Sequence, residues 1–242
     1  MISIVKVTDL NLTYRVLKNR TGSLKELLRD AVKGRVRIQN YIALKNISFE
    51  VKGGEVLAIV GGNGAGKSTL LKVLARVLPP TSGFAEVSGS IAPMIELGAG
   101  FHPEMTGSEN IIFYSALLGR SVKKTKSRID EIADWAEVSD HTDFPLRTFS
   151  SGMIARLAFA TATDQRSDLI LIDEVLSVGD NNFRTKSRAR ILEMTSMGSA
   201  VVLVSHDLST IRDIAHRVLW LEKGEIRKLG NVEEVLEEYE RS

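Results

Sequence analysis

The chain has 242 residues, 43% hydrophobic and 26% charged, with a formal net charge of +2. That length fits one large domain, or one domain with a subdomain, and the near-balanced charge gives no strong nucleic-acid signal. Cysteine is absent, which excludes disulfides and thiolate metal sites and fits a reducing compartment. The start, Met1-Ile2-Ser3-Ile4-Val5-Lys6, lacks a signal-peptide pattern. No apolar run approaches the roughly 18–20 residues of a transmembrane helix. The protein is therefore expected to be soluble, or held at a membrane by a partner.

Along the chain, Ile2, Ile4, Val7, Leu10 and Leu12 alternate with polar residues and predict early strands. Residues 15–40 look inserted and basic, with Arg15, Lys18, Arg20, Lys25, Arg29, Lys33, Arg35 and Arg37 against only Glu26 and Asp30. Ser23-Leu24-Lys25-Glu26 is a capping-box pattern, and Leu24, Leu27, Leu28, Ala31 and Val32 share one helical face. A basic amphipathic helix suits an anionic membrane face or an acidic partner, and equally a surface helix docked on its own core. Ile47, Phe49 and Val51 predict a strand before the turn at Lys52-Gly53-Gly54, and Val56–Val60 reads as a buried strand. A glycine-rich loop and a helix beginning at Leu70 follow. After a turn at Pro79–Gly83, the glycine-punctuated stretch Gly98–Pro103 leads into a mostly helical region from about Ser108 to Thr163. Leu169–Ile172 and Ala200–Val204 are two more buried-strand candidates, and a short acidic helix is expected near Val232–Tyr239. Strands alternating with helices predict an α/β fold with a mainly parallel sheet.

The loop Gly61-Gly62-Asn63-Gly64-Ala65-Gly66-Lys67-Ser68-Thr69 fits G-x-x-x-x-G-K-[ST] without deviation, between a buried strand and a helix. Its glycines let backbone N–H groups turn inward as an anion nest at a helix N-terminus. Lys67 is placed to reach the β- and γ-phosphates of a nucleoside triphosphate, and Ser68 to offer its hydroxyl to Mg²⁺. Asp173 and Glu174 end the strand at 169–172, at the sheet edge where α/β folds bind ligands. Asp173 suits Mg²⁺, and Glu174 suits a general base that polarises water. His206 ends the next strand at the same edge, where a histidine can hold an attacking water in line. His102, His141 and His216 read as loop or surface residues. Ser150-Ser151-Gly152 opens a helix and forms another anion site, or simply an N-cap. A second anion site makes sense if two copies face each other.

These motifs, in this order, resemble the ATP-binding subunit of ABC transporters over nearly the whole chain. Gly61 to Thr69 matches Walker A, and Ile170 to Glu174 matches Walker B with its catalytic glutamate. Ser177-Val178-Gly179-Asp180 matches the D-loop, and His206 the switch histidine. Tyr14 stands where the aromatic that stacks on adenine is found, with Tyr41 a weaker candidate. The resemblance implies a P-loop NTPase (RecA-like) α/β core at about 1–95 and 166–242. To this it adds an antiparallel β subdomain and a helical subdomain near 96–165. It further implies two copies closing head-to-tail around two ATP molecules.

Three departures narrow the family. The signature is Phe149-Ser150-Ser151-Gly152-Met153, the Q-loop glutamine is replaced by Glu96 as a candidate Mg²⁺ and water ligand, and a basic segment sits between Tyr14 and the phosphate loop. Together they look like the subfamily that exports lipid-linked O-antigen, capsule or teichoic-acid polymers across the bacterial inner membrane. The resemblance then implies a peripheral ATPase on the cytoplasmic face, bound to an integral membrane subunit, with no nucleic-acid partner. Its alternatives are an ABC ATPase for another cargo, or a soluble one acting on ribosomes or DNA.

Overall fold

The computed structural model describes residues 2–17, 38–95, 98, 100–174 and 180–242. Two sheets sandwich a helix. The smaller is antiparallel, with strand order β2-β1-β4, made from β1 (Ser3–Leu17), β2 (Ile38–Lys52) and β4 (Ser82–Val87). The larger has six strands in the order β5-β6-β7-β3-β8-β9. These are β3 (Val56–Val60), β5 (Ile91–Met94), β6 (Leu169–Asp173), β7 (Ala200–Val204), β8 (Arg217–Glu222) and β9 (Glu225–Gly230). All neighbours pair in parallel except β9, which returns antiparallel along β8.

The central strands show why their sequences are continuous apolar runs: each is buried on both faces. Leu57, Ile59, Leu169, Leu171, Ala200, Val202 and Val204 face the smaller sheet. Their alternates Val56, Ile170, Ile172, Val201 and Leu203 face the opposite layer of helices. Helix α1 (Lys67–Leu74) lies between the sheets and buries Leu70, Leu71, Val73 and Leu74 in the first of these cores. Each such side chain contributes about 1.5–3 kcal/mol, so the helix that follows the phosphate loop is firmly seated.

Between β5 and β6 the chain forms α2 (Gly107–Leu117), α3 (Val122–Lys126), α4 (Ile129–Ala136) and α5 (Ser151–Thr163). These build their own core from Ile111, Ile132, Ala133, Leu157 and Phe149. Thr106 and Glu109 close a capping box at the start of α2. The buried Asn110 side chain bonds the His102 N–H and the carbonyls of His102, Met105 and Thr106, pinning the preceding loop to α2. The opposite layer contains α6 (Asn181–Ser196), while α7 (Leu208–Ile214) and α8 (Val232–Glu240) cover β3 and β8.

Two sequence expectations change here. Residues 15–17 and 38–40, assigned from sequence to the basic insert, are the paired ends of β1 and β2. The remainder of that insert, with the expected helix after Ser23, lies outside the described residues. The early strands are one 15-residue strand whose pairing with β2 shifts register between Val7 and Thr13.

Candidate active site

The parallel register brings three chain reversals to one edge of the large sheet. Ile59 pairs with Val204 and Asp173 with Val204, so β3, β6 and β7 end side by side. β3 delivers the phosphate loop, β6 delivers Asp173 and Glu174, and β7 delivers Ser205 and His206. Two glycines are required by the loop's shape. A Cβ on Gly61 (φ 152°) would strike the Leu221 carbonyl oxygen, and one on Gly66 (φ 107°) would come within 2.7 Å of the Ala43 carbonyl oxygen. Gly62 and Gly64 have nothing within 4 Å of a Cβ, which leaves the loop open for a ligand's close approach.

A cleft of about 310 Å³ is lined by the loop from Asn63 to Thr69, by Tyr41 and Ala43, and by Glu174 and His206. Lys67 is buried, and its Nζ donates to the carbonyls of Gly61 (2.6 Å) and Gly62 (3.1 Å). Burial lowers the lysine's pKa, opposed by the nearby carboxylates of Glu174 and Asp173. Burial conversely raises the pKa of Asp173, opposed by its hydrogen bond with Ser68 and by Lys67 and Lys72. Burial thus works against the ionised form of both groups, and their opposite charges offset only part of it.

Glu174 adopts φ 59°, a left-handed conformation costing a non-glycine residue about 1–3 kcal/mol. Its N–H is held by the Val204 carbonyl at 2.9 Å. Its Oε1 lies 2.9 Å from His206 Nε2, and both side chains are about half exposed. A strained acid beside a histidine, across a cleft from the glycine-rich loop, is suited to orienting water against a phosphoryl group.

The structure does not bring every expected residue to this cleft. Tyr14 packs against the core between the sheets, and its hydroxyl sits 3.4 Å from Thr69 Oγ1. Its cross-strand partner Tyr41 is the aromatic that lines the cleft. Ser150 caps α5, accepting from the Met153 N–H at 3.2 Å, while Ser150, Ser151 and Gly152 lie away from the cleft in the same chain. Asp180 caps α6, accepting from the Phe183 N–H at 2.8 Å. Glu96 and residues 177–179 lie outside the described residues. The structure also draws attention to Asp207, the N-cap of α7, whose carboxylate is lowered to about 2 by hydrogen bonds from Ser209 and Thr210. An aspartate directly before an apolar helical pattern is the sequence signal that marks it.

A larger cavity of about 570 Å³ borders the outer side of the loop, lined by Gly62 to Ala65, Trp220, Lys223 and Tyr239 among others. Size does not make it the reaction site, because Lys67, Ser68, Glu174 and His206 line the smaller cleft instead.

The family model for ABC transporters matches residues 44–177. The chain is 41% identical over 204 residues to the O-antigen export system ATP-binding protein RfbB of Klebsiella pneumoniae, covering 84% of this chain and 83% of that protein. The chain belongs to the ABC transporter family. A second relative, the O-antigen export system ATP-binding protein RfbE of Yersinia enterocolitica, is 40% identical across 89% of the cassette and 93% of its own length. A third, the teichoic acids export ATP-binding protein TagH of Lactococcus lactis, is 40% identical across 84% of the cassette but only 43% of its own length. The fold is that of solved ATP-binding cassettes. The ATP-binding subunit of an ABC transporter superposes with TM-score 0.78 at 20% identity, covering 98% of this chain and 93% of that one. A cassette solved as a post-hydrolysis dimer with ADP and Pi superposes at 0.77 with 22% identity, over 94% and 98% of the two chains. As an ABC cassette the protein binds ATP and is an ATPase. Among the described residues, no helix is long and apolar enough to cross a membrane.

Proposed function

We propose that this ATPase powers the export of a lipid-linked polysaccharide, of O-antigen or teichoic-acid type, across a bacterial inner membrane. The observation that carries the reading is the 40–41% identity to relatives named for O-antigen and teichoic-acid export. In this reading the protein sits peripherally on the cytoplasmic face, bound to an integral membrane subunit that handles the cargo.

The cleft supplies the work. ATP lies with its phosphates along Gly61–Thr69, with Lys67 against the β- and γ-phosphates. The Ser68 hydroxyl and the Asp173 carboxylate already hydrogen-bond one another. One hydroxyl and one carboxylate beside a triphosphate fit the needs of Mg²⁺, which would neutralise charge developing on the phosphates. Glu174 takes the proton of the attacking water, and His206 holds that water and the γ-phosphate in line. The motif at Ser150–Gly152 serves the cleft of a second copy, head-to-tail. Two facts support that dimer: these residues lie outside their own chain's cleft, and their helix N-terminus is suited to an anion.

Tyr41, exposed and lining the cleft, stacks on the base, a role the family resemblance assigns first to Tyr14. Tyr41→Ala is expected to raise KM for ATP about two- to tenfold with little change in kcat, the worth of one aromatic stack. Tyr14→Phe is expected to leave KM near the wild-type value. Steady-state ATPase assays of the two variants decide between the tyrosines.

The function itself is tested by co-purification from native membranes of tagged Glu174→Gln protein with ATP, which holds the closed state. A multi-spanning partner carrying lipid-linked glycan is the expected result. A membrane partner carrying some other cargo, or ribosomes or nucleic acid with no membrane partner, would overturn polysaccharide export.

A further inference from the structure

We infer that Arg188, on α6, is a positioning residue for His206, bracing the loop that carries the histidine to the helix that follows Glu174 in sequence. The inference rests on the catalytic reading of the cleft and adds to it a residue that does not line the cleft.

The His206 side chain is 51% exposed and meets Glu174 at 2.9 Å, so packing covers only about half of it. Its position is set by the chain on either side. Before it, Val204 and Ser205 are buried at the end of β7. After it, the Asp207 N–H donates back to the Ser205 hydroxyl at 3.1 Å, closing a tight turn around the histidine. Asp207 is therefore the second anchor of the His206 backbone.

Asp207 is held from two directions. One carboxylate oxygen accepts from the Ser209 N–H (3.0 Å), the Ser209 hydroxyl (2.6 Å) and the Thr210 N–H (3.4 Å), which is ordinary helix capping. The other oxygen accepts from the Thr210 hydroxyl and from Arg188 Nη2 at 3.1 Å. Arg188 Nη2 also donates to Thr210 Oγ1, and Nη1 donates to Asp213 Oδ2 at 2.8 Å. The guanidinium thus grips α7 at its cap and again near its end. Capping alone fixes Asp207 to its own short helix. Arg188 fixes that helix to α6, whose inner face of Phe183, Ile191 and Met194 is buried in the core. A fork of fixed geometry does this better than a point charge would.

The mechanical consequence follows from chain order. Glu174 precedes α6 and His206 precedes α7, and the two catalytic side chains meet at 2.9 Å. Arg188 links the two helices that follow them. Losing it leaves the loop at Gly61–Thr69 untouched while loosening the alignment of His206. A misplacement of about 1 Å at a reacting group costs about 100-fold.

The test is a double-mutant cycle in single-turnover ATP hydrolysis by the whole protein, with melting midpoints measured alongside. Arg188→Ala is expected to lower the hydrolysis rate about 10- to 100-fold, with ATP affinity and melting midpoint close to wild type. Arg188→Lys is expected to recover part of the loss through a single pair with Asp207. Asp207→Asn, which keeps its capping oxygen, is expected to reproduce the rate loss if the alanine variant folds poorly. In a His206→Ala background, Arg188→Ala is expected to change the rate by less than about twofold. A full, additive loss in that background would overturn the inference. So would an affinity loss that tracks a lowered melting midpoint. Near-normal hydrolysis by His206→Ala alone would instead remove the catalytic role of the histidine, a failure distinguishable from that of Arg188.

Discussion

Replacing Glu174 with glutamine is expected to cut ATP hydrolysis by about 100- to 1,000-fold while leaving ATP binding intact. The substitution conserves shape and the ability to hydrogen-bond His206 from 2.9 Å away. It removes the one property the mechanism needs, a carboxylate that accepts a proton from water. The magnitude matches the loss of a single transition-state group in a preorganised polar site. The backbone at Glu174 is strained at φ 59° but held by the Val204 carbonyl, a contact that glutamine leaves unchanged. Steady-state turnover and equilibrium nucleotide binding, measured on the same preparation, separate the two effects. Turnover within a few-fold of wild type would take Glu174 out of the base role.

Lys67→Ala is the second large effect, and it acts on binding. The Nζ group is buried and donates to the Gly61 and Gly62 carbonyls. A triphosphate presents stronger, anionic acceptors at the same position. Hydrogen bonds to charged groups contribute about 1.5–3 kcal/mol, so affinity for ATP is expected to fall about 10- to 100-fold. The alanine variant should stay folded, because α1 is anchored through Leu70, Leu71, Val73 and Leu74 and not through the lysine. Titration calorimetry with a melting curve checks both statements. Unchanged ATP affinity would contradict the placement of the phosphates along Gly61–Thr69.

The parts of this site legible in the sequence are those set by local chemistry. The phosphate loop is written in glycine spacing. The strands at 56–60, 169–173 and 200–204 are written in apolar runs, because both faces of each are buried. The strand order is not local: β7 lies between β3 and β6 although it follows both in the chain, and no residue pattern records that. In the β8–β9 hairpin, β8 is buried over Val218–Leu221, whereas β9 is nowhere fully buried and carries only a weak apolar period. The hairpin's Lys223-Gly224 turn, with both residues at positive φ, is nonetheless a readable hairpin signal. In β1 and β2, Asp9 and Asn46 take positive φ where the register shifts, which breaks the alternation that a strand reading relies on. Tyr14 and Tyr41 illustrate the same limit. They are cross-strand partners, and only the folded structure places Tyr41 at the cleft and Tyr14 against the core. Arg188 carries no motif at all; its relation to Asp207 appears only when α6 and α7 pack together.

In the proposed function, hydrolysis at Glu174 drives polysaccharide export. It is tested most directly by replacing the chromosomal copy with the Glu174→Gln allele in the native host and measuring surface polysaccharide together with its intracellular lipid-linked precursor. Loss of the surface polymer and accumulation of the precursor inside the cell are expected. Normal surface polymer, with the variant expressed and unable to hydrolyse ATP, would contradict that function.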